Sequence, residues 1–302
     1  MELSLIMRLR IAAAAATGVV LIGILAWPLA APSEPLDAVL AGDISIGGLI
    51  TLVVLSFLTG LLAYFVSWPH GREIGILAVP FGLAIWAVRS GSMTNLMQLN
   101  PTIEQRLAVF SAFKWDSAFW LTLVAAGFFG VLLGQKIMSG PASSAKPVKE
   151  KTSGSKAAQF LSVIIALVGS VFIAQFCIKM FAQDVSLLDS RLGVIMAQPS
   201  VGQIVFAVFV SFGLAAFIVK KFLDVSYIWP TIATVLLTVF AASSYAKRDM
   251  LQYFIQQWPS AFFINSVISI LPVQVVAFGT LGSIAGYWMA IRYNYWRKHE
   301  MK

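Results

Sequence analysis

The sequence predicts an all-α polytopic membrane protein with about eight transmembrane helices, expected to divide into two parallel four-helix halves. Three observations predict it. Hydrophobic residues make up 59% of the 302-residue chain and charged residues 11%, with a mean hydropathy of +0.85. Soluble domains carry about 25% charged residues, and half that supply cannot cover a globule of this size. The apolar residues also fall in runs long enough to cross a hydrocarbon core, which takes about 20 residues at ~1.5 Å each. Finally, Lys and Arg gather on alternate connecting segments, as membrane topology demands.

The first span, Ile11–Ala31, comes after Arg8 and Arg10 and ends in small residues, so it resembles a secretory signal peptide. Pro32 directly after Ala31 disfavours cleavage, and the run is long enough to span, so it is read as a retained helix. Spans Gly47–Val66 and Ile74–Val88 flank the turn Trp68-Pro-His-Gly-Arg-Glu73, in which Pro69 and Gly71 supply the turn chemistry. His70, Arg72 and Glu73 are its candidate binding or pH-sensitive cluster. The plainer reading is a Trp anchor, a turn and a snorkelling Arg–Glu pair, and it is favoured.

Before the fourth span, Ala118–Leu133, the string Thr102-Ile-Glu-Gln105 reads as a capping box with Ile103, Leu107 and Phe110 on one face. It predicts an amphipathic helix lying in the outer interface. Within the span, Gly130 and Gly134 place small residues on one face, a pattern that permits close helix packing. Residues 1–138 thus form the N-terminal half. A Pro-, Gly-, Ser- and Lys-rich stretch at 139–156 predicts a flexible basic linker on the cytoplasmic side.

The C-terminal half, residues 157–302, carries spans Ala157–Ile178, Val201–Val219, Ile228–Tyr245 and Ile264–Ile291. Asp249-Met-Leu-Gln252 repeats the outer capping pattern, and each outer segment runs into Trp-x-Ser-Ala-Phe, at Trp115–Phe119 and Trp258–Phe262. This recurrence at one topological station predicts an internal parallel repeat. The last span contains Pro272, expected to kink it, and Gly282 with Gly286, spaced like Gly130 and Gly134.

Orientation is set by charge. With the N-terminus inside, 14 of the 21 Lys and Arg residues lie on inner segments and 8 of the 13 acidic residues on outer ones. Both termini are therefore expected in the cytoplasm, with the protein in a cytoplasmic (inner) membrane. The net charge of +8 is absorbed by this bias, so the expected partners are the lipid bilayer and other membrane subunits, not nucleic acid.

The chemistry-bearing residues are sparse. The chain has one cysteine, Cys177, and two histidines, His70 and His299, which leaves no disulfide, metal cluster or haem ligation to expect. No ionisable residue falls in the central part of any span as drawn, and no nucleophile–base pair or phosphate loop is visible. Neither an enzyme nor a cofactor is expected. Polar groups at depth are Gln175, Gln203, Asn265 and Gln274, the last beside the carbonyl that Pro272 would free. Gln175 and Gln274 are the candidates for polar contacts within the membrane. The expected function is a non-catalytic scaffold or subunit of a membrane assembly. The alternative is a transporter or flippase for a neutral or lipid-like substrate, which would need a chamber between the halves.

Overall fold

The computed structural model describes residues 4–32, 34, 37–138 and 156–300. Within them the chain is an all-α bundle with eight helices long and apolar enough to cross a membrane. The protein is accordingly a multi-pass membrane protein. The linker at 139–156 lies outside the described residues except for its last position.

The first span starts six residues earlier than the apolar run suggests. Ser4 caps α1 (Leu5–Gly18) by accepting from the Met7 N–H, and the helix widens into a π-helical segment, Val19–Leu25. A short α2 (Trp27–Ala30) ends it. The π segment leaves the Gly23 carbonyl to accept the Trp86 indole N–H at 3.2 Å, which ties this span to the third. The second span is α3 (Ile46–Val66), capped by Ser45. The third is built from α4 (Gly71–Ile74), a 3-10 turn and α5 (Ala78–Arg89).

After a surface helix, α6 (Met93–Leu99), comes the fourth span, α7 (Ile103–Met138). The Thr102–Gln105 capping box forms as its sequence predicts: Gln105 N–H donates to Thr102 Oγ1 at 3.3 Å and Thr102 N–H to Gln105 Oε1 at 3.1 Å. The capped segment is not a separate interfacial helix, however, but the first turns of one continuous helix that includes the span. At ~1.5 Å per residue its 36 residues reach about 54 Å, well beyond a hydrocarbon core of ~30 Å.

The second half opens with α8 (Lys156–Phe181), followed by a hairpin of β1 (Ser186–Asp189) and β2 (Gly193–Ala197). Then come α9 (Val201–Leu223), α10 (Ile228–Tyr245) and a surface helix, α11 (Arg248–Gln257). Asp249 lies in the first turn of α11 and not at its cap, which is Lys247. The short β3 (Phe262–Phe263) completes an antiparallel sheet in the order β1-β2-β3. The last span, α12 (Pro272–Glu300), begins at Pro272, so the expected kink becomes a helix start, where the missing N–H costs nothing.

Eight crossings put the start of α1 and the end of α12 on one face, the terminal face. The connections 26–45, 90–102, 182–200 and 246–271 share the other, the loop face. The spans containing α5 and α12 are the most buried and sit centrally; α1 and α8 are the least buried and form the outside.

Candidate functional site

Within each half the second and fourth spans pack with their backbones in contact, because glycines remove the side chains between them. A methyl group built on Gly130 would meet the Phe57 carbonyl oxygen, and one on Gly60 the Gly127 carbonyl, both well inside van der Waals range. At Gly134 it would lie 2.6 Å from Tyr64 Cδ1. In the second half Gly282 faces the Phe209 carbonyl and Gly286 the Gly213 carbonyl. Gly127, Gly130 and Gly134 have the same spacing as Gly279, Gly282 and Gly286. All four glycines singled out from the sequence are thus spent on contacts inside the chain.

The two halves meet across the bundle. Gln274 is buried and bridges them: its Nε2 donates to the Ala87 carbonyl at 3.2 Å, and its Oε1 accepts from the Leu271 N–H at 3.1 Å. Phe110 stacks edge-on against Tyr245 with 4.8 Å between ring centroids. An internal cavity lined by Phe110, Phe113, Leu237 and Thr238 lies beside this contact, and its volume is about 10 Å³. That is no more than a single water needs. Gln175, by contrast, is half-buried on α8, and the partners of Gln274 are Ala87 and Leu271.

The loop face is held by polar ties that the apolar runs do not reveal. Asp116 lies in α7 and is 3% exposed. Its carboxylate accepts from the Ala41 N–H of the first loop and from the Trp120 indole at 2.8 Å. Arg106, 5% exposed, donates to the carbonyls of Asn100 and Met97 and, across the halves, to Ser260 Oγ at 3.0 Å. Arg248 of α11 pairs with Glu104 of α7 at 3.0 Å, but both are exposed and solvent screens the pair, so it adds little to stability. The sequence puts Asp116 between an interfacial helix and a span, and it is the unbroken length of α7 that brings this residue into the packed part. The signal that could have found it is the Asp116–Trp120 spacing, which puts an acceptor and an indole donor on one helix face.

The second half has a counterpart of the Asp116 tie. Asp189 of the β1–β2 hairpin accepts from Tyr253 Oη and Trp258 Nε1, both at 2.8 Å, and from the N–H groups of Arg191 and Leu192. Partial burial opposes its charge, but these four donors prevail and hold the carboxyl at about 2, below its ordinary 3.8. The hydrogen bond to that carboxylate in turn pushes the Tyr253 phenol up. Beside them an open cleft of about 260 Å³ is lined by Arg191, Asp249, Gln252, Tyr253 and Gln256.

The hairpin should therefore be sensitive to acid. Because the folded carboxyl is depressed, its contribution is complete above about pH 5 and lost as the pH falls through 3.8 towards 2. Amide protection in residues 186–197 should drop through that window. In Asp189→Asn the step should be missing; a variant that keeps it would assign the transition to another group.

His70, Arg72 and Glu73 are all exposed on the terminal face, and among the described residues no ion pair joins them. Among the described residues, too, no three His, Cys, Asp or Glu side chains converge where a metal ion could sit. No protein-family model, curated protein or solved structure matches the chain.

Proposed function

We propose that this chain is a non-catalytic scaffold or integral subunit of a membrane assembly, seated in a cytoplasmic membrane with both termini inside. The observation that carries the reading is the filled junction between the halves. Gln274 bridges the halves, Phe110 meets Tyr245, and the cavity beside that contact, lined by Phe110, Phe113, Leu237 and Thr238, measures about 10 Å³. A transporter or flippase would need a chamber there to hold its substrate. The buried ionisable groups Asp116 and Arg106 are engaged in hydrogen bonds that tie loops to helices, which supports a structural role for both. The excess of Lys and Arg on the terminal face supports the orientation. The partner would be another membrane subunit. It would dock away from the glycine strips, which are already occupied, and the fixed loop face is the best-formed surface for it.

Purification in mild detergent from the native host, with mass spectrometry of whatever co-migrates, tests this. A companion in fixed stoichiometry is the expected result. Recovery of the chain alone, as a clean monomer or homodimer, would overturn the subunit reading and direct attention to transport of neutral solutes in liposomes.

A further inference from the structure

We infer that the β1–β2 hairpin on the loop face is seated in the interfacial layer of the bilayer, with its outward face against lipid. The two central pairs of the hairpin are apolar on both faces, which those of a water-facing hairpin are not. The register pairs Leu187 with Ile195 and Leu188 with Val194. On one face Ile195 is fully buried against the bundle, while its partner Leu187 is 41% exposed. On the opposite face Leu188 is 85% exposed and Val194 52%.

The helix that leads into the hairpin also carries an exposed apolar surface. Along α8 the residues Phe172, Phe176 and Met180 are exposed at four-residue spacing, one stripe on the outside of the bundle. The exposed apolar residues of α8 run from Phe160 to Met180, and 20 steps at ~1.5 Å cover about 30 Å, the thickness of a hydrocarbon core. Met180 is then at the boundary, with Lys179 beside it in position to snorkel. Val185 and Leu188 follow Met180 by five and eight residues, a separation that suits the depth of the headgroups and first methylenes. Tyr253 and Trp258, whose hydrogen bonds to Asp189 set the height of the hairpin, are the residue types enriched at that depth. The Asp189 tie thus joins the hairpin, with Leu188 and Val194 on its outward face, to the amphipathic side chains of Tyr253 and Trp258.

Labelling tests the seat on the full chain in phosphatidylcholine liposomes. In a Cys177→Ala background, Leu188→Cys carries a small environment-sensitive fluorophore, with Val194→Cys as a second position on the same face. Gln256→Cys, in the polar cleft, is the water-facing reference. Lipid carrying a nitroxide near the top of the acyl chain should quench Leu188 and Val194 at least about 3-fold more than Gln256, while aqueous iodide does the reverse. If iodide reaches all three positions equally, the hairpin stands in water and the inference fails. If Leu188 and Val194 are shielded from both quenchers, protein covers this face and the inference fails as well. The purified chain alone suffices for the experiment, so its outcome is separate from whether a companion subunit exists.

Discussion

Replacing Gly130 or Gly282 with alanine is expected to break the fold at the helix pair concerned. One methyl group at Gly130 runs into the Phe57 carbonyl, and one at Gly282 into the Phe209 carbonyl. Backbone atoms cannot rotate aside as a side-chain tip can, so the helices must separate along their length. In a bilayer that separation is costly because lipid chains are as apolar as the helices. Their pairing rests on close van der Waals contact and not on hiding surface from water. Overpacking of well-filled cores costs about 1–3 kcal/mol and sometimes more; a backbone collision belongs at about 3 kcal/mol or above. At about 2–4 °C per kcal/mol this corresponds to roughly 6–12 °C in the apparent midpoint of a detergent melt at fixed scan rate. Gly169→Ala is the control: its methyl group meets nothing within 4 Å, and the better helix former should leave the midpoint unchanged or slightly raised. Wild-type midpoints for both Gly130→Ala and Gly282→Ala would refute the close-approach account.

The second large effect is expected at Asp116. Alanine there strands two buried donors, the Ala41 N–H and the Trp120 indole. An orphaned buried partner costs about 1–3 kcal/mol, so the pair amounts to roughly 2–6 kcal/mol. Removing the carboxylate also removes the burden of burying a charge, which acts in the other direction. Asp116→Asn separates the two effects, since it keeps an acceptor without the charge. The expected order of stability is wild type, then Asp116→Asn, with Asp116→Ala clearly lowest. The loss should show locally as faster hydrogen exchange around Ala41. If Asp116→Ala melts with the wild type and leaves that segment protected, the first loop is held by something else.

Eight crossings are legible in the sequence because hydrocarbon imposes one requirement, length of apolar run, that local composition can meet or fail. Caps are legible for the same local reason: Thr102 and Gln105 act on each other across three residues. Ends of spans are harder. The run preceding Ala118 contains Lys114 and Asp116, and their polarity suggests a break where the helix continues, because the Ala41 N–H, 75 positions away, satisfies the buried carboxylate. Pro272 misleads by the opposite effect. The apolar residues from Ile264 onward look like helix, but they are buried in a non-helical segment, with Asn265 accepting from the N–H groups of Val267 and Ile268. The recurring motifs show the consequence of that segment: Trp115 lies 12 positions before Gly127, whereas Trp258 lies 21 before Gly279. The role of Arg106 is invisible in the sequence, since its partners are carbonyls and a serine in the other half, and no charge pattern announces them.

That last contact also sets an order on how the protein comes into being. The α3–α7 pair can close over its glycines as soon as the first four spans have left the insertion machinery. Arg106 is by then already placed at the end of a finished helix, with Ser260 still 154 residues of synthesis away. Until the second half arrives, the N-terminal half is a nearly complete object carrying one guanidinium whose final ligand has not been translated. The late segment that supplies it, ahead of α12, is also the segment that brings Gln274 to Ala87. Completion of the bundle is therefore a single late event at the loop face, and a ribosome that stops before it leaves the early half open along the seam where α12 belongs.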